Sequence, residues 1–486
     1  MRERIERLLE GQLVLTGGDS AVRVTADLAS SFVAGDQLLV ASDELLRVPS
    51  DEARIAANAV SAAVEAFSLL ADCSDDAISS FFLAFADALT SSEVVERVLA
   101  ANRIDVSDAH ERGRSTTRLE LSPKMIDDMV AGLKMWSEID MRRDETVETI
   151  QHDGWSIDVR RAPVGVVGFV FEGRPNVFAD AAGVLRTGNT AVLRIGSDAL
   201  RTAQAMMEFA VTPALATAGL PACSIMLIES RTHAAGWALF NDSRLALAVA
   251  RGSGPAVDQL GAIARSVGTP VSLHGTGGAW MVVPDGADTK WVESVVEASL
   301  DRKVCNTVNV CCVQRSAADD LLPVIVRAAS TAATARDATA VIRADDDTIT
   351  QMSTSDSSGL VRFSPLPSEG LGYEYEWEND PEFAVVLVDS IDEAISLCNQ
   401  YSPHFVVSVL TDDLELIERV YSSADAPFVG NGFTRWVDGQ YALGQPELGL
   451  SNWQGGRLLG RGGVLSGSSV HTLRLLAQFS DPTIRR

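Results

Sequence analysis

The stretch "APVGVVGFVFEGRPNVFADAAGVLRTGNTAVLRIGSDAL", residues 162–200, decides the fold class of this chain. It holds two apolar runs, "VGVVGFVF" and "NTAVLRI", of the kind found in strands covered on both faces of a sheet. Between them, "NVFADAAGVLRTG" has a helical pattern and ends at Gly188, a residue type favoured at helix C-termini. A strand, a helix and a second strand in this order predict a parallel βαβ unit.

The same alternation continues further along the chain. "SIMLIE" and "LALAVA" read as strands with a helix between them, and "AWMVVP", "VNVCCVQ" and "FAVVLVD" belong to a second alternating set. The pattern predicts an α/β protein with two doubly wound parallel-sheet domains. Ligands of such sheets bind outside the carboxyl ends of the strands, so the loops at those ends are the first places to look for chemistry.

Changes in composition set the expected domain boundaries. Residues 1–50 form short β-like runs and read as an appended segment without evident chemistry. We expect a first domain at 51–270, a second domain at 271–427, and a tail at 428–486 that returns to the first domain. A hairpin at about 146–162 and the tail strand "HTLRLLAQF" are expected to form a β arm.

Local sequence signals also predict where helices begin and where surface loops lie. Asp51, Ser74 and Ser122 precede Ala/Leu-rich helical segments and are predicted as N-caps. Residues 340–380, which include "DDDTITQMSTSDSSG", are polar and turn-rich and are expected to form surface loops.

Charge and composition exclude several classes of function. The chain has 486 residues and a net charge of −26, from 40 Lys+Arg against 66 Asp+Glu, and such a field repels a nucleic-acid backbone. No uninterrupted apolar run is long enough for a membrane span, and "MRERIERLLEGQ" lacks the apolar core of a secretory signal. We therefore expect a cytoplasmic protein without a nucleic-acid or membrane partner.

Two glycine-containing turns follow predicted strands and precede predicted helices. They are "VLRIGSDA", residues 192–199, and "VARGSGPA", residues 249–256. Small residues let a backbone approach a phosphate, and the helix N-terminus supplies N–H donors. Neither turn matches G-x-G-x-x-G, so each alone fits an ordinary βα turn as well as a nucleotide loop. Together, at one edge of the sheet, they favour a nucleotide.

The turn "FEGRPNVFAD", residues 171–180, places Glu172, Arg174 and Asn176 directly after a buried strand. Three polar side chains of different chemistry at the carboxyl end of a central strand suggest a functional site. The alternative is a surface turn in which Asn176 caps the next helix. Both interpretations remain open on the local sequence.

The segment "DRKVCNTVNVCCV", residues 301–313, holds three of the six cysteines. Cys311 and Cys312 lie in a buried-strand pattern and read as small apolar residues. Cys305 precedes that strand, next to the cations Arg302 and Lys303, which could lower the pKa of its thiol. Its spacing to the other cysteines does not fit a zinc site, so no metal is expected. Local chemistry leaves a nucleophilic and a structural role for Cys305 open.

These segments, in this order, resemble the gamma-glutamyl phosphate reductases, a branch of the aldehyde dehydrogenase superfamily. The resemblance runs through residues 162–200 to "ARGSG", "KVCNTV", "VLVDSIDEAI" and "NGFTRWVDGQYALGQPELGLSN". It spans roughly residues 51–483, and "FEGRPNV" and the tail are its most specific pieces. It implies an aldehyde-dehydrogenase-like fold with a cofactor domain, a catalytic domain and an oligomerisation arm, and a homo-oligomer that is a dimer or a tetramer.

The resemblance also implies the chemistry. Cys305 would attack the carbonyl of an acyl phosphate, and the thioester formed would accept a hydride and release glutamate semialdehyde, a proline precursor. Asn176 would hold the oxyanion. The matching cofactor-binding positions are Arg194, Gly196, Ser197, Arg251, Gly252, Ser253 and Glu378. The matching substrate-binding positions are Arg174, Asn306, Asn431, Thr434 and Arg435, with Arg435 as an anion clamp.

Three departures from the family pattern bear on function. Leu273 stands where relatives usually carry a Glu that activates water, which argues against oxidation of an aldehyde to an acid. The neighbouring His274 is open to a structural role or to proton transfer. Asp198 stands near the expected adenosine ribose, where a carboxylate opposes a 2′-phosphate, so NADP is favoured over NAD only slightly. The altered tail leaves room for a different acyl phosphate.

Three functions therefore remain open from the sequence. The first is the acyl-phosphate reductase, acting on L-glutamyl 5-phosphate or on another acyl phosphate. The second is an aldehyde dehydrogenase that forms an acid or a thioester. The third is a non-catalytic relative with a binding role, and the presence of Cys305 and Asn176 weighs against it.

Overall fold

The computed structural model describes residues 5–41, 43–114, 116, 118–140, 142–356, 358–437, 442–454, 458 and 462–485. The chain divides into two compact units. Unit 1 comprises residues 1–275, 445–450 and 464–486, and unit 2 comprises residues 276–444 and 451–463. The division after Gly275 lies five residues beyond the boundary expected from the sequence, and the tail is shared between the units.

The N-terminal segment folds as two small hairpins around a helix, and it belongs to unit 1. Its own apolar centre consists of Leu8, Val24 and Phe32. Thr25 caps the helix, because its side chain accepts a hydrogen bond from the Leu28 N–H at 3.2 Å. Its elements are β1 Leu13–Gly17, β2 Ser20–Arg23, α1 Ala26–Ser31, β3 Gln37–Ala41 and β4 Glu44–Val48.

Four helices follow, and their starts test the predicted N-caps. Ser74 and Ser122 are confirmed, since their side chains accept from the N–H groups of Ala77 and Met125. Asp51 is wrong as a cap, because the first helix already begins at Ser50 and Asp51 lies in its first turn, where an acid favours the helix dipole. The helices are α2 Ser50–Leu70, α3 Asp75–Thr90, α4 Ser92–Glu111 and α5 Pro123–Glu138.

Helix α2 is long and apolar enough to meet a length-and-composition test for a membrane span, and α3 with α4 meets it only as a pair bent by 73°. Core helices of globular units pass the same test. One face of α2 is buried through Ala56, Ala59, Val60 and Ala63, and the Ala63 carbonyl accepts a hydrogen bond from Thr190. We therefore describe α2 as a packing helix of unit 1.

The parallel sheet of unit 1 has five strands in the order β11-β10-β7-β8-β9. The chain runs outward from β7 through β8 to β9 and then returns to the other side of β7, so the order reverses between β7 and β10. Loops at the carboxyl ends of these two strands form the usual ligand position of such sheets. The strands are β5 Thr146–His152 and β6 Trp155–Pro163 of the arm, then β7 Val166–Phe171, β8 Thr190–Ile195, β9 Ile225–Leu227, β10 Leu245–Arg251 and β11 Val271–His274.

The predicted helix between β7 and β8 forms as a short α-helix followed by a 3-10 turn at Gly183–Thr187. Gly188 ends it with φ of +79°, a left-handed conformation that glycine adopts without a Cβ penalty. The helices of this sheet are α6 Val177–Ala182, α7 Leu200–Met206, α8 Thr212–Thr217, α9 His233–Phe240 and α10 Gly254–Ser266, with α7 and α8 joined by a π-helical turn at Met207–Val211.

Unit 2 contains a seven-stranded sheet in the order β15-β14-β16-β13-β12-β17-β18, and all its strand pairs are parallel. Its strands are β12 Ala279–Val283, β13 Val308–Gln314, β14 Ala340–Ala344, β15 Val361–Pro365, β16 Glu382–Val388, β17 Val406–Val409 and β18 Phe428–Gly430. Its helices are α11 Thr289–Ala298, α12 Ala318–Thr334, α13 Asp346–Ser353, α14 Ile391–Tyr401 and α15 Leu414–Ser423. Two parallel sheets confirm the predicted α/β class.

The prediction of surface loops at 340–380 is wrong for most of residues 340–365. Strands β14 and β15 lie there and extend the sheet beyond β16. The polar stretch "DDDTITQMS" between them is a helix, because the Asp345 side chain caps it by accepting from the Thr348 N–H at 2.9 Å. Aspartates that read as loop residues are here the N-cap and first turn of α13.

The tail adds β19 Glu447–Leu450, β20 Val464–Ser466 and β21 His471–Phe479 to unit 1. Strand β21 pairs antiparallel with β6, which gives the three-stranded arm β21-β6-β5. The buried Asn189 fixes this return, because its Nδ2 donates to the Val470 carbonyl at 2.7 Å and its Oδ1 accepts from the N–H groups of Val164 and Gly165. One amide thus joins the tail to the start of β7.

Candidate active site

Cys305 lies in a turn at the amino end of β13, and its side chain is partly exposed. Backbone hydrogen bonds fix the turn on both sides: the Cys305 carbonyl accepts from the Gly278 N–H at 2.7 Å, and the Thr307 carbonyl accepts from the Ala279 N–H at 2.8 Å. The Thr307 hydroxyl accepts from the Val304 N–H and donates to the Arg302 carbonyl. The thiol is therefore carried by an ordered backbone.

Glu374 holds the same turn from the side. Its carboxylate accepts from the Gly277 N–H at 2.9 Å and from the Lys303 ammonium at 2.7 Å. The side chain of Lys303 is 5% exposed, so this ion pair is shielded from solvent. Lys303, which the sequence offered as a cation for the Cys305 thiol, is thus already paired with a carboxylate.

The other two cysteines of the segment are confirmed as packing residues. Cys311 and Cys312 lie in β13 and are completely buried. Burial raises the pKa of the Cys311 thiol to about 12, and burial also raises that of Cys312. Thiols with such values are not nucleophiles near neutral pH.

Asn306 is completely buried beside Cys305. Its Nδ2 donates to the carbonyl of Val437, and its Oδ1 has no hydrogen-bond partner among the described residues. The side chain therefore ties the cysteine turn to the segment after β18. This contact gives Asn306 a structural function beside the substrate-binding role implied by the resemblance.

The tail residues assigned to substrate also lie in unit 2. The Thr434 N–H donates to the Ser299 hydroxyl at 3.0 Å, and Asn431 donates to the Thr411 carbonyl at 3.2 Å. Arg435 forms an ion pair with Asp301 at 2.5 Å. The guanidinium predicted as an anion clamp is therefore held by a carboxylate from the segment that leads to Cys305.

Glu378, which the resemblance implies as a cofactor-binding residue, is exposed. Its backbone carbonyl accepts a hydrogen bond from Arg336 at 2.8 Å. Arg336 also donates to the carbonyls of Asn379 and Asp301 and stacks on the Trp377 ring. In this segment it is Glu374, four residues earlier, whose carboxylate contacts the cysteine turn. Glu374 was not identified from the sequence, because its partners are 97 and 71 residues away along the chain.

In unit 1, Asn176 is the residue directly before α6. It makes no side-chain capping hydrogen bond, and its Oδ1 is buried without a partner among the described residues. The interpretation of Asn176 as a helix cap is therefore wrong. A buried amide oxygen without a partner among the described residues leaves this side chain available to a ligand. Arg174, two residues earlier, is exposed.

The carboxylate of Glu172 lies at the start of α10. Its Oε1 accepts from the Ser253 N–H at 2.6 Å, and a Cβ on Gly252 would lie 3.0 Å from the Glu172 Cγ. The N-terminus of α10 thus already binds an anionic group, as helix N-termini do. Because the loops after β7 and β10 meet here, at the point where strand order reverses, the residues present fit a nucleotide phosphate.

Arg251 ends β10 and contacts several groups of unit 1. Its guanidinium lies 3.6 Å from the Asp180 carboxylate, contacts the Glu447 carbonyl at 3.5 Å, and stands over the Phe171 ring. Burial raises the pKa of Asp180 to about 6, although Arg251 and Arg174 act in the opposite direction. Asp180 therefore titrates near neutrality.

The loop after β8 carries the other predicted cofactor residues. Arg194 is buried and donates to the Thr232 carbonyl at 2.9 Å, and burial lowers its pKa. A Cβ on Gly196 would lie 2.7 Å from the Gly173 N atom, so only glycine lets this loop approach the loop after β7. Ser197 opens the short 3-10 turn Ser197–Ala199.

Asp198 in that turn is paired with two arginines from the end of α4, Arg112 at 3.2 Å and Arg114 at 2.6 Å. From the sequence, Asp198 appeared as an isolated carboxylate that would oppose a 2′-phosphate. The two guanidinium groups reverse the sign of the local charge. Sequence reasoning missed them because they lie far from Asp198 along the chain.

Leu273 and His274 end β11, and both are buried. The side chain of Leu273 packs against Gly261 of α10, where an added Cβ would lie 2.4 Å from a Leu273 methyl group. An apolar side chain in this position cannot activate water.

Comparisons with known proteins agree with these features. A family model described as aldehyde dehydrogenase family matches residues 40–346. Gamma-glutamyl phosphate reductase of Clostridium beijerinckii is 30% identical over 365 residues, which cover 73% of this chain and 83% of that protein. The enzyme of that name from Kosmotoga olearia is 30% identical over 404 residues, covering 79% and 89%.

Solved structures of related proteins share the fold of this chain. The crystal structure of gamma-glutamyl phosphate reductase from Thermotoga maritima has a TM-score of 0.75 at 26% identity and covers 89% of this chain and 100% of that chain. The propionaldehyde dehydrogenase of Rhodopseudomonas palustris, at 16% identity and a TM-score of 0.61, shares the fold over 88% of this chain and 95% of that chain. The chain therefore belongs to the aldehyde dehydrogenase family, as a divergent relative of the gamma-glutamyl phosphate reductases.

Proposed function

We propose that this chain reduces an acyl phosphate, L-glutamyl 5-phosphate, to glutamate 5-semialdehyde and phosphate, a step of proline biosynthesis. The observation that carries the proposal is Cys305, a half-buried cysteine on a turn fixed by backbone hydrogen bonds and by Glu374. The curated relatives of the chain carry the name of this reaction. We expect the enzyme to act in the cytoplasm.

The chain's own residues have the following roles in the proposed mechanism. The Cys305 sulfur attacks the acyl carbon, the bond from that carbon to the phosphate oxygen breaks, and phosphate leaves with the electron pair. A reduced nicotinamide cofactor supplies the hydride when it is bound. The thiohemiacetal then releases the aldehyde, and the carbon–sulfur bond electrons return to Cys305. Asn176 and the Cys305 N–H are the proposed donors to the oxyanion.

Leu273 supports reduction over oxidation to an acid. A thioester on Cys305 is hydrolysed only if a base activates water beside it, and Leu273 is apolar and packed on α10. Hydride delivery needs no such base. The alternative of an acid-forming aldehyde dehydrogenase therefore has less support, whereas a different acyl phosphate remains the second candidate because the tail departs from the family pattern.

For the cofactor, we propose nucleotide contacts from the loops after β7, β8 and β10, with NADP preferred over NAD. The pairing of Asp198 with Arg112 and Arg114 supports this preference, and the start of α10, whose Ser253 N–H binds the Glu172 carboxylate, is the proposed contact for the phosphates that NAD and NADP share. The predicted residues of these loops, Arg194, Gly196, Ser197, Arg251, Gly252 and Ser253, belong to unit 1. Glu378 belongs to unit 2, and its cofactor role remains a prediction.

The arm supports a homo-oligomer, a dimer or a tetramer. One face of the arm sheet is apolar: Phe479, Ala477 and Leu475 of β21 lie opposite Trp155, Ile157 and Val159 of β6. Leu475 and Phe479 are 69% and 58% exposed in the single chain, and such a face on a sheet favours pairing with a second copy.

The reverse reaction tests the function. We expect reduction of NADP or NAD in the presence of glutamate semialdehyde and phosphate, and a loss of at least about 1,000-fold in the Cys305→Ser variant. Cys223→Ser, a partly buried thiol of unit 1, is the matched control and should retain activity. Turnover without phosphate would indicate an aldehyde dehydrogenase, and no turnover with any aldehyde would contradict catalysis.

A further inference from the structure

The C-terminal end of α4 contacts the loop that follows β8. Arg112 and Arg114 both reach the carboxylate of Asp198, with Nη1 atoms 3.2 Å from Oδ1 and 2.6 Å from Oδ2. Asp198 lies two residues after Gly196, in the turn expected beside an adenosine ribose. The contact is between segments 84 residues apart, so it is a feature of the fold rather than of a local motif.

The helix end presents the two arginines in a defined geometry. Gly113 closes α4 with φ of +68°, and the N–H groups of Gly113 and Arg114 donate to the carbonyls of His110 and Ala109. The Nε of Arg112 donates to the Asp108 carbonyl at 2.8 Å. This C-terminal turn places both guanidinium groups on the side of α4 that faces the Asp198 turn.

Buried polar contacts fasten α4 to the start of α7, directly after the same turn. Asp105, 1% exposed, accepts from the N–H and the hydroxyl of Thr202 at 2.8 and 2.9 Å. Asn102 donates to the same hydroxyl, and Arg201 pairs with Asp108 at 2.5 Å. The position of Arg112 and Arg114 is therefore fixed by the packing of unit 1 and not by their ion pairs alone.

Basic groups cluster around this turn although the whole chain is strongly acidic. Two guanidinium groups share the Asp198 carboxylate, Arg194 lies in β8 one residue before its end, and His233 begins α9. The nearby acids Asp105 and Asp108 are paired with Arg201. Burial lowers the pKa of His233, and the positive charges of Arg194 and Arg114 lower it further. Arg112 and Arg114 are 39% and 54% exposed, so an anion from solvent can reach them.

We propose that Arg112 and Arg114 bind the 2′-phosphate of NADP, and that Asp198 holds them in place when no phosphate is bound. The inference rests on the proposed use of a nicotinamide cofactor. A phosphate offers two charges and three acceptor oxygens, whereas the Asp198 carboxylate offers one charge, so the phosphate is the stronger partner for two guanidinium groups. With NAD the arginines would stay on Asp198. Specificity would thus come from α4 rather than from the β8 loop itself.

Equilibrium binding without substrate tests this assignment. Calorimetric titration would compare 2′,5′-ADP with 5′-AMP, and NADP with NAD, on the wild-type protein and on the Arg112→Ala, Arg114→Ala and double variants. We expect the double variant to lose about 100-fold in affinity for the 2′-phosphorylated ligands, with 5′-AMP and NAD changed less than about twofold. Asp198→Asn, which releases both arginines, should strengthen binding of 2′,5′-ADP.

Arg103→Ala is the matched control, because Arg103 is an exposed arginine of the same helix that pairs with Glu96 at 2.6 Å. It should leave all four affinities unchanged. An equal loss for both ligand classes, or no loss for either, would overturn the role of Arg112 and Arg114 while leaving the acyl-phosphate reduction intact. Failure of every dinucleotide to bind would overturn the cofactor proposal itself. Arg114→Gln, which keeps a polar side chain, replaces Arg114→Ala if the latter lowers the melting temperature.

Discussion

At the scale of single residues, Asp180 illustrates how burial sets a charge. It lies four residues after Asn176, and its side chain is 29% exposed. Burial raises the pKa of its carboxyl to about 6, although the positive charge of Arg251 lowers the pKa in part. In the unfolded chain the same carboxyl has its ordinary pKa of 3.8. Between these two values the folded protein binds more protons than the unfolded chain, so stability falls as pH rises through this range.

We therefore predict that Asp180→Asn is more stable than the wild-type protein at pH 7.5, by about 1–3 kcal/mol in the free energy of unfolding. Well below pH 3.8 the Asp180 carboxyl is protonated in both the folded and the unfolded chain, and the difference should disappear. Urea unfolding at a series of pH values from about 2.5 to about 8 measures this. A difference that is constant across the series, or that grows toward low pH, would contradict the raised pKa.

At the scale of elements, Glu374 decides how rigidly the cysteine turn is held. Replacement by Gln keeps the shape of the side chain but removes the charge that pairs with Lys303, which is almost fully buried. We predict that Glu374→Gln lowers kcat about tenfold and the free energy of unfolding by about 1–3 kcal/mol. The KM for the cofactor should stay within about twofold, since its proposed phosphate contacts are in unit 1.

Glu376→Gln is the control for this prediction. Glu376 also faces Lys303, at 3.9 Å, but its side chain is 63% exposed, and exposed ion pairs contribute little. Steady-state kinetics of both variants separate the two carboxylates. Equal effects would show that overall charge near Lys303, and not the shielded ion pair between Glu374 and Lys303, controls the turn.

Elements and site differ in how far the sequence predicts them. Apolar runs such as "VGVVGFVF" identified the central strands, because burial on both faces leaves a continuous signal. Helix α13 was misread, because an Asp-rich start looks like a loop until Asp345 is seen to cap it. The position of Cys305 before a strand marked it only as a candidate nucleophile, and the family resemblance supplied the role. Glu374, Arg112 and Arg114 were not identified from the sequence, because each acts through contacts that only the tertiary fold creates.

At the scale of the whole molecule, the arm gives the chain a face that one copy cannot bury. The apolar residues of β21 and β6 are joined by stacking of Trp155 on Phe479, with ring centroids 5.3 Å apart. Each leucine buried there contributes about 1.5–3 kcal/mol, and a cation in its place brings an unpaired charge into the interface. Self-association should therefore depend on the alternate residues of β21 that share this face.

We predict that Leu475→Arg converts the proposed homo-oligomer to a smaller species, whereas Leu69→Arg does not. Leu69 is similarly exposed, at 60%, but it belongs to helix α2 and not to the strands of the arm sheet. Size-exclusion chromatography with light scattering gives the mass of each variant. A wild-type protein that is already monomeric would contradict the role of the arm, as would an unchanged mass for Leu475→Arg. Because Cys305 is not part of the arm, a dissociated variant that is still alkylated at Cys305 at the wild-type rate would show that the turn folds within a single chain.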